Sequence, residues 1–233
     1  MSNTAAFQNL TPNIGEAERF FRHFAEIIAN PAEPELRGLT LQTFSDRKEL
    51  KKINKDGKEY DPNAKKLHCG ETGPDVKALV LLQRCGAGVF FMVNQGDEQG
   101  RTAKNVTGTR AGFVDLDGSP LAPIEAAALK PHIIVESSPE RFHAYYITAD
   151  MTLDQFTPLQ KALAAKFNGD KSVNDLPRVM RVPGFWHMKK DPFQTRIVSL
   201  NNAPPYTVQE LVEGLGLEIG ADPLTGQRND DRV

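Results

Sequence analysis

Phe113-Val-Asp-Leu-Asp-Gly118 is an apolar run that closes on two aspartates and a glycine. The approach from Ala111 to Leu116 predicts a buried strand ending at an Asp-Gly turn. Side chains alternate along a strand, so Asp115 and Asp117 share a face. Two carboxylates that close repel each other unless a cation sits between them. Such pairs are natural ligands for Mg²⁺ or Mn²⁺ bound together with phosphates. A turn whose aspartates cap backbone groups uses the same residues, and Asp-X-Asp alone does not separate the two.

Downstream, Val135-Glu-Ser-Ser-Pro-Glu-Arg-Phe-His-Ala-Tyr-Tyr146 reads as strand, tight turn, strand. Arg141 and His143 share one face of the second strand. A cation and an imidazole beside a carboxylate pair suit a triphosphate. Further on stands Gly169-Asp-Lys-Ser-Val-Asn-Asp-Leu-Pro-Arg-Val-Met-Arg-Val-Pro-Gly184. Asp170 is a candidate third metal carboxylate. Arg178 and Arg181 face opposite sides if the segment is a strand, and converge on a phosphate if it is an irregular turn. Surface ion pairs are the alternative for both. After the Pro183-Gly184 turn come Trp186, His187, Lys189 and Lys190, aromatic and basic groups able to stack bases and hold phosphates. Trp186 serves equally as a core residue.

The flanks predict a mixed α/β chain. Asn13 with Glu16 opens a helix in which Phe20, Phe21, Phe24, Ile27 and Ile28 recur at helical spacing. Leu39, Leu41 and Phe44 alternate as in a strand. The Lys-rich stretch from Asp46 to Gly73 reads as loop. Pro74 suits the first turn of a helix with Val76, Leu79, Val80 and Leu82 on its apolar face, ended by Gly86. Strands are expected at 89–93, 111–116, 132–137, 142–147 and 196–200. Helices are expected at 153–167 and from Thr207, with Glu210 completing a capping box, to Leu215. The domain reading is an N-terminal arm and part of an α/β lobe at 1–74, a catalytic core at 75–215, and a polar tail or linker toward a further module at 216–233.

Composition narrows the partners. The 233 residues are 39% apolar and 25% charged, with a net charge of −2. That is ordinary for a globular chain and announces no nucleic-acid binding over the whole surface. Locally, Arg47 to Lys66 holds eight Lys/Arg against four Asp/Glu. This stretch is either a solvated loop or a template-contacting face. Cys69 and Cys85 lie in unrelated contexts, with no zinc-ligand spacing, and fit a cytoplasmic protein. No 18-residue apolar run suggests a membrane span.

Taken in order, the three chemical segments resemble the archaeo-eukaryotic primase superfamily, the primase-polymerases, and within it the small plasmid and phage primases of the RepB-prime type. That family has a strand ending in Asp-X-Asp or Asp-X-Glu, a Ser-X-His-like strand, then a downstream Asp. Here these are Asp115/Asp117, the Ser137-to-His143 segment and Asp170. The run from Asp170 through Arg178 and Arg181 to Lys189 is the most specific part. The likeness spans roughly residues 75–200. It departs at the second motif, where Arg141 stands two residues before His143 and Ser138 five before it.

The resemblance implies an RRM-like antiparallel catalytic sheet with flanking helices and an N-terminal α/β lobe. It implies two divalent ions, Mg²⁺ or Mn²⁺, on Asp115, Asp117 and Asp170, and two-metal nucleotidyl transfer. Ser138, Arg141, His143, Arg178, Arg181 and Lys189 would hold the NTP or dNTP. Arg101, Lys104, Asn105 and Trp186 are candidates for the single-stranded DNA template. A helicase domain or protein is a further candidate partner.

Two other readings remain open. Asp115-Leu-Asp-Gly-Ser119 matches the nucleophile motif of haloacid-dehalogenase-type phosphatases, with Ser137 and Gly169-Asp170 as loose later motifs. Against it, Gly169-Asp170 follows Ala162–Phe167, which reads as helix where the phosphatase needs a strand. A non-catalytic initiator or single-strand binder on the same RRM-like fold would not need three aspartates.

Overall fold

The computed structural model describes residues 7, 9–28, 38–69 and 73–219. Most of the expected N-terminal arm, and residues 220–233 of the expected tail, lie outside the described residues.

The fold is built on two four-stranded antiparallel sheets. The first contains β1 (Thr40–Ser45), β4 (Lys65–His68), β5 (Ala87–Met92) and β11 (Val179–Arg181), in the order β11-β5-β1-β4. The second contains β8 (Ala111–Leu116), β9 (Ile133–Ser138), β10 (Arg141–Ile147) and β14 (Arg196–Leu200), in the order β14-β9-β10-β8. This is the expected antiparallel sheet with flanking helices and an accompanying α/β lobe. Three short hairpins decorate it, β2 (Lys52–Ile53) with β3 (Glu59–Tyr60), β6 (Gln95–Gly96) with β7 (Val106–Gly108), and β12 (Trp186–His187) with β13 (Phe193–Gln194).

Helix α1 (Ile14–Ile28) joins the two sheets. Asn13 begins it, accepting the Glu16 N–H at 3.1 Å. Its Phe20 and Phe24 rings lie 5.1 and 5.9 Å from Phe91 of β5, and both lie 5.9 Å from Tyr145 of β10. Fully buried aromatics at these spacings tie the lobes into one core. Helix α2 (Val76–Arg84) is capped by Asp75, which accepts from the Ala78 N–H, so Pro74 precedes the helix instead of opening it. A short α3 (Ala122–Ala126), which the sequence reading lacks, buries Ile124. Helix α4 (Leu153–Lys166) covers β8, and its Gln160 accepts from the Phe113 N–H and donates to the Phe113 carbonyl. That satisfies polar groups on an edge strand that water does not reach. Helix α5 (Val208–Leu215) is capped by Thr207 with Glu210 completing the box, as its spacing predicts.

One expectation needs correction. Asp46–Gly73 is not simply loop, because β4 pairs with β1 and the 52–60 stretch forms the β2–β3 hairpin. Its lysines hid the strand. β4 is the sheet's edge, its lysines are exposed, and only Leu67 offers it an apolar contact. The first sheet takes strands from both sides of residue 74. β5 and β11, from the expected core, pair with each other and β5 with β1 of the expected first lobe. Chain order and spatial order are interleaved.

Candidate active site

Three segments meet at one end of the second sheet. β8 stops at Leu116, and Gly118 turns the chain with a φ of +95°, where only glycine sits without strain. On the neighbouring strand His143 stands opposite Asp115, and across the β9–β10 hairpin Arg141 stands opposite Ser138. The hairpin, not a continuous Ser-X-His strand, thus brings serine and imidazole together.

The third segment is fixed by backbone. The Asp170 N–H donates to the Asp115 carbonyl at 2.8 Å. A Cβ on Gly169 would lie 2.8 Å from Val114 Cγ1 and 3.1 Å from the Asp115 carbonyl, so the approach requires glycine. Ser119 Oγ donates to the Asn168 carbonyl at 2.6 Å, a second brace between the same loops.

This proximity has an electrostatic cost. Burial, and then the neighbouring Asp170 charge, push the Asp115 carboxyl up to about 6. Asp117 is exposed and forms an ion pair with Arg141. Among the described residues no three His, Cys, Asp or Glu side chains are gathered as a ready-made metal cage. The donor set nonetheless fits a divalent cation. Asp115 and Asp170 form a repelling carboxylate pair, and Asp117, held only by an exposed arginine, can turn to join them.

Around them lies a cavity of about 610 Å³ lined by Asp115, Asp117, Ser138, Arg141, His143, Arg181 and Lys189 of the expected residues. His143 is buried, and that burial, then Arg181 and His187, push its imidazole down to about 3. It is therefore neutral near pH 7. Tyr145 Oη lies 3.4 Å from its Nδ1, and in the tautomer that accepts there, the Nε2 proton faces Asp115 Oδ1 at 3.8 Å.

Arg181 is not a free cation. It donates from Nη2 to Asp46 Oδ1 at 2.5 Å and from Nη1 to Oδ2 at 3.3 Å, and stacks its guanidinium 4.5 Å over Phe90. Asp46 also accepts the Met188 N–H at 2.7 Å. Next to it, Arg47 donates to the carbonyls of Met188 and Lys190 at 2.8 and 3.1 Å. Two residues at the end of β1 therefore hold the loop that carries Lys189. Asp46 had no sequence signal, since only its burial and partners distinguish it from the acids of the Lys-rich stretch.

His187, from the expected aromatic and basic segment after Gly184, also lines the cavity. Its Nδ1 lies 3.0 Å from the Ser137 carbonyl, and its buried Nε2 has no hydrogen-bond partner among the described residues. Burial, then Arg181, push this imidazole down to about 4.

The remaining expected residues fall elsewhere. Asp170 adjoins Asp115 without lining the cavity. Arg178 donates to Asp175 at 2.6 Å and to the Ser172 carbonyl at 2.8 Å, bracing its own loop. Arg101 donates to Gln42 and to the Pro177 carbonyl, and Asn105 caps the loop through Thr102 and Asp97. Lys104 is exposed on the same loop. Trp186 donates its indole N–H to the Thr11 carbonyl and does not line the cavity. Gly169-Asp170 follows helix α4, contrary to what the phosphatase pattern requires.

Residues 110–213 match the family of the RepB DNA-primase N-terminal domain. No curated protein sequence matches the chain. Among solved structures it is similar to the AEP domain of the cyanophage S-2L primase-polymerase, with a TM-score of 0.65 and 17% identity, over 88% of this chain and 100% of that one. It is also similar to primase RepB′, with a TM-score of 0.53 and 17% identity, over 76% of this chain and 56% of that one. The catalytic domain of primase RepB′ in complex with initiator DNA aligns with a TM-score of 0.51 and 16% identity, over 84% of this chain and 94% of that one. Residues 110–213 are thus similar to the RepB DNA-primase N-terminal domain, and the chain shares the fold of these solved structures.

Proposed function

We propose that this chain is a DNA-directed nucleotidyltransferase that synthesises primers on single-stranded DNA in plasmid or phage replication. One observation carries the reading. Asp170 adjoins Asp115 at the end of one sheet, and Asp115 and Asp117 line a cavity whose other walls carry Arg141, His143 and Lys189. The match to the RepB primase family supports it.

Two divalent ions, Mg²⁺ or Mn²⁺, held by Asp115, Asp117 and Asp170, would polarise the α-phosphate and activate a 3′ hydroxyl for in-line attack. Arg141 would exchange Asp117 for the incoming triphosphate, a better-matched anion, and leave Asp117 free to hold an ion. Lys189, which lines the same cavity, neutralises the same triphosphate. Neutral His143 offers its Nε2 proton beside Asp115 without adding a competing positive charge there. Ser138 supplies a hydroxyl across the hairpin from Arg141. Arg181, tied to Asp46, orients the pocket through Phe90 and the Met188 backbone. A helicase domain or protein acting ahead of the primase completes the reading.

Template-dependent incorporation of labelled NTPs or dNTPs on single-stranded DNA, with Mg²⁺ and with Mn²⁺, tests this. Products that grow with template and stop with chelator are expected. Phosphate release from a simple monoester with no incorporation would assign the aspartates to a phosphatase instead. Binding of the strand with neither activity would make the chain an initiator.

A further inference from the structure

We infer that the lysine-rich β2–β3 hairpin and adjoining strand β4 form the track along which the template's phosphate backbone runs as it leaves the cavity. The inference rests on the primase reading and adds the surface that holds the strand.

The charge distribution is the first ground. Residues 47–66 hold eight Lys/Arg against four Asp/Glu, while the rest of the chain holds twenty against twenty-six. An acidic protein that handles a polyanion has to confine its positive charge to the contact surface. Within the stretch the acids are largely consumed. Asp61 accepts the Ser45 N–H and hydroxyl, and Glu59 pairs with Lys51. Lys48, Lys52, Lys55, Lys58, Lys65 and Lys66 are all exposed, with no ion pair among the described residues.

The second ground is exposed apolar surface. Ile53 is 66% and Tyr60 46% exposed, on a two-stranded ribbon with no core of its own. Tyr60 pairs directly with Lys52, which puts an aromatic ring and an ammonium side by side. A base stacked on the ring and a phosphate on the lysine would occupy both.

The third is continuity with the site. The hairpin springs from the end of β1, where Asp46 and Arg47 grip Met188 and Lys190. Lys189 and Lys190 line the cavity and are themselves exposed. Asp46 and Arg47 thus join the base of the hairpin segment to the loop that carries the cavity's lysines. Asn63 fixes the hairpin's far foot, donating to Ser45 and to the Cys85 carbonyl.

The test is fluorescence anisotropy of the full chain with a labelled oligo-dT strand over a salt series. The variants are Lys52→Glu/Lys55→Glu/Lys58→Glu, the matching triple Lys→Arg variant, and Tyr60→Ala. The glutamate triple is expected to raise Kd more than tenfold at 100 mM salt. It should also flatten the log Kd–log salt slope by about 2, since each lost phosphate contact removes about 0.7 on a single strand. The arginine triple should retain affinity, and Tyr60→Ala should weaken binding with the salt slope intact. An unchanged Kd and slope in the folded glutamate triple overturns the inference and leaves the lysines to solvent or to an acidic protein. Failure of the primase reading is distinguishable, because wild type would then bind the strand and incorporate nothing.

Discussion

Arg181 and Asp46 form a buried ion pair, with side chains 7% and 1% exposed, linking a strand of the first sheet to the loop that bears Lys189. Removing one member strands the other charge in the interior. Asp46→Ala should therefore cost roughly 3–5 kcal/mol of stability in urea denaturation. Asp46→Ala/Arg181→Met, which removes both charges, should recover part of that loss. A single variant as stable as wild type would show that the pair is not buried in solution.

Asp115 makes the site's cost measurable by pH. Burial and then Asp170 raise its folded pKa to about 6, above the usual value of about 3.9 in an unfolded chain. Between those two values the native state binds the extra proton, so this group's contribution falls as pH rises from about 4 to about 6. Without divalent ions, Asp115→Asn should be more stable than wild type at pH 7.5 by on the order of 2–3 kcal/mol. The gain should vanish near pH 4. Thermal melting at both pH values reads this, and equal melting temperatures at pH 7.5 would contradict the account of Asp115.

Arg141 is expected to exchange partners. Its exposed pair with Asp117 contributes little to stability, so Arg141→Ala should melt within about a degree of wild type. The KM for nucleotide should rise about 10- to 100-fold, the value of one charge-assisted phosphate contact. A KM that stays fixed while kcat collapses would place Arg141 outside the nucleotide pocket.

Gly169→Ala tests the join between the two aspartate segments. Its methyl meets Val114 and the Asp115 carbonyl too closely, so Asp170 must move. Incorporation should fall at least tenfold even in the fraction that remains folded by circular dichroism, since small displacements at a reacting centre are costly. Full activity would show that the Asp170–Asp115 backbone contact does not set the site.

What the sequence made legible follows its periodicity. The strand 111–116, the capped helices and the β9–β10 hairpin carry strong alternation or capping pairs, and they formed with bounds close to expectation. Asp115 and Asp117 were legible because they close an apolar strand. Asp46 and its hold on Arg181 were not, because a pairing 135 residues apart leaves no local pattern. β4 was hidden for a related reason, since an edge strand rich in lysine lacks the apolar alternation that marks its neighbours. Trp186 looked like a base-stacking residue by composition, yet its indole is engaged by the Thr11 carbonyl.

The central claim is that Asp115, Asp117 and Asp170 carry nucleotidyl transfer. Its most direct test is template-dependent nucleotide incorporation by wild type, Asp115→Asn and Asp170→Asn, each shown folded by melting. Wild type should extend with Mg²⁺ or Mn²⁺, and either variant should lose roughly a thousand-fold or more, as removal of several kcal/mol of transition-state stabilisation requires. Folded variants that incorporate nucleotides at the wild-type rate would contradict it.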